Sequence, residues 1–124
     1  MGITYVKLDV GHPQRPNGFQ RLEFLVDTGA VYTIMPERVL KQLGIRPIDQ
    51  EHFRLANGRT IARSVGEARF RYHGKTRISP VVFGRAHDKV LLGVMTLEAL
   101  GLEVDPRTRK LKPAELLLLT VIGQ

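Results

Sequence analysis

One stretch of this chain pairs side chains able to do chemistry with a sequence context that makes them unusual. Asp27-Thr28-Gly29-Ala30 follows the apolar run Phe24-Leu25-Val26, and Val31 comes next. A carboxylate set into an apolar run needs a reason, because burying it ionised and unpaired costs several kcal/mol. The sharpest reason is acid–base work. Thr28 beside it donates and accepts through one hydroxyl. Gly29 lets the backbone turn sharply and brings its N–H close to a carboxylate. Farther down the chain, Leu91-Leu92-Gly93 leads into Val94-Met95-Thr96-Leu97-Glu98-Ala99-Leu100-Gly101. Other chemistries find little support. The four histidines, His12, His52, His73 and His87, lack metal-ligand spacing, so no metal is expected. The chain has no cysteine, which removes disulfides and thiolate chemistry. Ala62-Arg63-Ser64-Val65-Gly66 lacks the first glycine of a nucleophile elbow, and no phosphate-binding glycine loop is present.

Leu25-Val26-Asp27-Thr28-Gly29-Ala30 together with Leu91-Leu92-Gly93 resembles the signature of the retropepsin-like aspartic proteases. The first element in that family is two apolar residues, then Asp-Thr-Gly or Asp-Ser-Gly, then Ala or Ser. The second is an apolar-apolar-Gly segment opening a short helix. Asp-Thr-Gly alone also makes an ordinary turn, so the second element adds the specificity. The resemblance spans residues 3 to 112. It implies a small all-β, acid-protease-like closed barrel with one or two short helices, and a single domain over residues 1–124. The activity implied is that of an aspartic endopeptidase acting on polypeptides, with no metal or organic cofactor.

Such chemistry uses two carboxylates about 3 Å apart that share one proton, because like charges that close do not both ionise. This chain holds one Asp-Thr-Gly and no second Asp followed by Thr or Ser and then Gly. It is also too short for two such lobes. The family chemistry therefore requires a homodimer with Asp27 at a two-fold axis. By resemblance, Asp27 is the shared acid and base, Thr28 locks the two motifs across the axis, and the Gly29 N–H holds the carboxylate in plane. Ala30 stands where some relatives have Ser and borders the substrate. The hairpin around Ala56-Asn57-Gly58 falls where the family carries its flap, so these three residues are expected to bind substrate. Two departures stand out. The flap tip is poorer in glycine than the retroviral pattern, and Met95-Thr96 replaces the Asp or Asn that many cellular relatives carry two residues after the glycine. The alternative is a family member that has lost catalysis and binds extended peptides on the same scaffold.

A chain of 124 residues is one domain. Its 19 Lys and Arg against 12 Asp and Glu give a formal charge of +7, weighted toward the second half. Better solubility explains such a charge more simply than nucleic-acid binding does. Arg69-Phe70-Arg71-Tyr72 alternates, which predicts aromatics in the core and a solvated basic face outside. No apolar run reaches the length of a signal peptide or a membrane span, which leads to the expectation of a soluble, cytoplasmic protein without membrane insertion.

The pattern along the chain is short strands separated by turn signals. Strands are expected at Ile3–Val10, Phe19–Val26, Val65–Tyr72 and Thr76–Phe83, the last two joined through His73-Gly74. Asn57-Gly58 between extended flanks predicts a two-residue hairpin turn. Helices are expected at Pro36–Gly44 and Val94–Leu100, each closed by a glycine. Asp105-Pro106-Arg107-Thr108 reads as a turn. The apolar segment Glu115–Ile122 reads as extended, serving either as a strand of the dimer interface, as the resemblance implies, or as a strand within one subunit.

Overall fold

A computed structural model describes residues 2–115. Nine strands and two short helices follow one another as β1 (Tyr5–Gly11), β2 (Gln20–Val26), β3 (Thr33–Pro36), α1 (Glu37–Gln42), β4 (Asp49–Arg54), β5 (Thr60–Tyr72), β6 (Lys75–Gly84), β7 (Leu91–Leu92), α2 (Val94–Ala99), β8 (Leu102–Asp105) and β9 (Lys110–Pro113). Six strands close on themselves in the order β1-β2-β7-β3-β6-β5, because β5 pairs back onto β1. β4 flanks β5 outside this ring, and β8 and β9 form a separate hairpin. The expected all-β closed architecture with two short helices is what forms.

Alternation along the strands fills the ring. Leu8 and Val10 of β1, Phe24 of β2, Met35 of β3, Phe70 of β5, Val81 of β6 and Leu92 of β7 are all buried, with Leu40 of α1 and Leu100 after α2. Phe24 and Phe70 meet edge to face, ring centres 6.3 Å apart. Each such side chain contributes about 1.5–3 kcal/mol on burial.

The two helices form as expected. Pro36 precedes α1, Glu37 and Lys41 pair across one turn at 3.3 Å, and Gly44 ends the turn at φ +77°. Gly101, at φ +67°, follows α2.

Three expectations change. The tight two-residue turn is not at Asn57-Gly58. A type I′ turn needs positive φ at both central residues, and of this pair only Gly58 has it, at +86°. The Gly58 N–H donates to the Leu55 carbonyl (2.9 Å), so Ala56 and Asn57 are the central residues and Gly58 is the left-handed residue after them. Asn57 Oδ1 accepts the Arg59 N–H at 2.9 Å, which fixes this wider loop. The two-residue turn lies instead at His73-Gly74, with φ values of +48° and +82° between paired Tyr72 and Lys75.

β3 was not foreseen. It is a four-residue strand parallel to β6, inserted between the aspartate loop and α1. β5 is a single 13-residue strand that pairs with β4 over its first half and with β1 near its end.

The arginine face is not a free basic surface. Arg71 bonds Asp9 at 3.0 Å and lies over the Phe19 ring at 3.9 Å, while Arg69 donates to the Pro13 carbonyl. The aromatic side behaves as expected, with Phe70 fully buried. The expected C-terminal strand lies outside the described residues.

Another ion pair ties β5 to the turn before β7. Arg63 Nε reaches Asp88 Oδ2 at 2.8 Å, and both side chains are largely covered. Asp88 also accepts the Arg85 N–H at 2.8 Å. Hydrogen bonding from Arg63 is the main reason the Asp88 carboxyl sits below its ordinary range. The unfolded carboxyl therefore takes up its proton first as pH falls, so this stabilisation is complete above the ordinary aspartate pKa and lost through the acid range below it. Asp88→Asn should cost about 1–3 kcal/mol near neutral pH. It should also flatten the decline in stability below about pH 4, as followed by urea unfolding at a series of pH values. An unchanged acid slope would remove the ion pair from the account.

Candidate active site

Asp27 occupies the first position after β2, where the strand leaves the ring. Its own N–H donates to the Leu92 carbonyl at 3.0 Å, extending the parallel pairing of Leu25 and Val26 with Leu91 and Leu92. The Val26 N–H donates to the Thr4 carbonyl at 2.8 Å. The end of β2 is therefore held from two sides, and the aspartate emerges at a fixed point.

The loop then turns on itself. The Gly29 N–H donates to Asp27 Oδ1 at 2.9 Å, and the Ala30 N–H donates to the Asp27 carbonyl at 3.1 Å. Asp27 is half-buried, whereas Thr28 and Gly29 are exposed. No described residue hydrogen-bonds Asp27 Oδ2.

The far side of the loop is docked on α2. The Val94 and Met95 N–H groups donate to the carbonyls of Ala30 (2.8 Å) and Val31 (3.0 Å). These first-turn amides have no partner within a helix. Here they are satisfied by the loop that carries the aspartate. The docking depends on Gly93: a Cβ there would stand 2.5 Å from the Tyr32 carbonyl carbon and 2.8 Å from the Val31 oxygen. This close approach gives the second sequence element its physical meaning.

Beneath the loop runs a chain of buried hydroxyls. The Gly93 N–H donates to Thr33 Oγ1 at 3.0 Å, Thr33 Oγ1 lies 2.6 Å from Thr96 Oγ1, and Thr96 Oγ1 lies 2.9 Å from Ser79 Oγ. All three residues are buried. They join β3, α2 and β6 under the site. Thr33 and Ser79 were not singled out from the sequence, and Thr96 was noted only as a departure. The available signal was weak: three hydroxyl residues at otherwise apolar positions, far apart in the chain.

The hairpin residues stand apart from this loop. Ala56, Asn57 and Gly58 form the exposed tip between β4 and β5. An aromatic contact links the hairpin to the aspartate loop one pair in from the tip, where Tyr32 meets Phe53 of β4 edge to face, ring centres 5.7 Å apart. Asp27, Thr28, Gly29 and Ala30 thus form one unit, and Ala56, Asn57 and Gly58 form another tied to it through an aromatic pair. Among the described residues no three His, Cys, Asp or Glu side chains gather to hold a metal ion, and no helix is long and apolar enough to cross a membrane.

Residues 15–99 match the family described as "gag-polyprotein putative aspartyl protease", a span holding both the aspartate loop and the Gly93 element. The chain belongs to the retropepsin-like aspartic protease family. Among solved structures it is similar to a retropepsin-like aspartic protease from Rickettsia conorii, with 17% identity over 84% of this chain and 87% of that one and a TM-score of 0.47. No curated protein matches it.

Two substitutions test how this family loop is held. Gly93→Ala places a methyl against backbone with little room to yield, and overpacking of this kind costs about 1–3 kcal/mol. The loop amides of residues 27–31 should then show the largest chemical-shift changes in an amide NMR spectrum. Thr96→Val leaves the Thr33 and Ser79 hydroxyls short of a partner and should cost about 1–3 kcal/mol in denaturant unfolding, with Thr96→Ser closer to the parent. A Thr96→Val protein as stable as the parent would show the hydroxyl chain to be energetically idle.

Proposed function

We propose that this protein is an aspartic endopeptidase that completes its active site as a homodimer, pairing Asp27 with the Asp27 of a second copy. The observation that carries the proposal is the state of the Asp27 carboxylate. It is presented by a rigidly docked loop, accepts one backbone hydrogen bond at Oδ1, and has Oδ2 left for another group. Membership of an aspartic protease family and a single Asp-Thr-Gly per chain support the same reading.

The reaction follows from the pair. With two carboxyls about 3 Å apart, one is protonated and the other ionised. The ionised member takes a proton from a water held between them, and that water attacks the scissile carbonyl. The protonated member donates to the developing oxyanion. The proton is then delivered to the leaving amine. The Gly29 N–H holds Oδ1 in place throughout, so the carboxylate need not reorganise as charge moves. The exposed Thr28 hydroxyl is available to the partner loop. The hairpin tip at Ala56-Asn57-Gly58 closes over a peptide bound in extended form, contributing backbone hydrogen bonds and excluding water.

The test is cleavage of an unfolded polypeptide across acid to neutral pH. Asp27→Asn should reduce turnover by at least about a thousandfold, with an unchanged circular dichroism spectrum and melting temperature. Mixing active chains with excess Asp27→Asn chains should suppress activity further, because mixed dimers carry one acid. Cleavage by an Asp27→Asn protein, or by a strict monomer, would refute the proposal. Tight peptide binding without cleavage by the parent would favour the non-catalytic reading instead.

A further inference from the structure

At the other end of β2 from Asp27 lies a feature that the proteolytic reading does not use. A cavity of about 560 Å³ is lined by His12, Arg15, Lys41, Gly44, Ile45 and Arg46. β2 runs seven residues from this end to Val26, about 20 Å at the rise of an extended strand. The lining holds three permanent cations and an imidazole, and no carboxylate. Lys41 has a partner in Glu37 at 3.3 Å, on an exposed stretch of α1. Arg15 and Arg46 make no ion pair among the described residues. Arg15, Lys41 and Arg46 are all exposed, and three cations around one concavity raise a positive local potential that attracts a polyanion.

The walls are held in place. The Arg15 N–H donates to the His12 carbonyl at 3.2 Å, and the Gln14 N–H donates to His12 Nδ1 at 3.0 Å. That second bond makes Nδ1 the acceptor of the ring and leaves Nε2 as its donor. Arg69, reaching across from β5, donates to the Pro13 carbonyl and pins the same turn. On the opposite wall the turn that closes α1 ends at Gly44, whose φ of +77° suits glycine. The Arg15 guanidinium lies over its Cα, where a Cβ would come within 2.9 Å of an arginine nitrogen. A side chain at position 44 would therefore displace the Arg15 guanidinium.

We propose that this cavity binds an anion carrying a pyrophosphate group, either free or attached to a nucleoside. A single carboxylate would leave most of the positive charge unmatched, whereas linked phosphates supply several negative charges and many acceptor oxygens. Guanidinium forks match phosphate oxygens two at a time. The volume lies within the range of small-molecule sites, about 300–1,000 Å³.

The experiment is calorimetric titration of the full chain with pyrophosphate, ADP and adenosine, at constant ionic strength set with sodium chloride. Pyrophosphate and ADP should bind at one site per chain, and adenosine should not. ADP binding about tenfold tighter than pyrophosphate assigns the nucleotide source, and equal affinities assign the free diphosphate; both support the site. Arg15→Gln and Arg46→Gln should each weaken binding by about tenfold, whereas Arg77→Gln, which removes the same charge from the exposed start of β6, should leave it unchanged. No binding of either phosphate probe at about 1 mM overturns the proposal. So does equal weakening by Arg77→Gln, which would mark the effect as general electrostatics.

Discussion

The seating of Gly93 against the backbone of Val31 and Tyr32 is the constraint on which the rest of this structure depends. It allows the start of α2 to approach closely enough for two amides to reach the Ala30 and Val31 carbonyls. Without that contact the loop after β2 would lose the two backbone hydrogen bonds that hold Ala30 and Val31. Ordering a loop residue costs about 1–2 kcal/mol of backbone entropy, so a carboxylate on an undocked loop would be spread over many positions. The closed ring serves the same end. β7 is only two residues long, yet it pairs with both β2 and β3, placing Gly93 beside the aspartate loop.

The buried hydroxyls explain how polar groups survive beneath this junction. The Gly93 N–H faces the interior and needs an acceptor, which Thr33 supplies. That hydroxyl in turn requires a partner, and Thr96 and Ser79 continue the chain. A partly satisfied network would be worse than an apolar core, so the three residues act together. Thr96 therefore carries a definite role. Its hydroxyl links the helix that docks the aspartate loop to the strands beneath it.

How legible these features were depended on whether their causes lie close in sequence. The aspartate loop and Leu91-Leu92-Gly93 were readable because residue type and order alone specify them. Both helices were readable from their Pro, Glu and Gly punctuation. The hairpin at Asn57-Gly58 was readable as a hairpin but not in register, because Asn-Gly fits a turn at two offsets and the Asn57–Arg59 bond selects one. β3 was hidden: four residues ending in Pro show too little alternation, and the strand owes its existence to parallel pairing with β6. The face containing Arg69 and Arg71 looked solvated because its partners, Asp9, Pro13 and Phe19, come from β1 and the loop after it. No local pattern announces an interaction between strands that distant.

The surroundings of the aspartate loop bear on how two such loops would meet. Val31 is 62% exposed and Met95 37% exposed, and a backbone hydrogen bond joins them beside Asp27. Ile3 and Tyr5 add apolar surface next to the strand that delivers the aspartate. Covering these side chains with a second copy would be favourable by about 25 cal/mol per Å². The same step would strip water from two carboxylates and set like charges against each other, which is unfavourable. The two tendencies are reconciled if one proton enters with the second chain. In the proposed dimer, assembly and protonation would then be a single event, with the apolar rim supplying the driving force that offsets the cost of bringing the acids together.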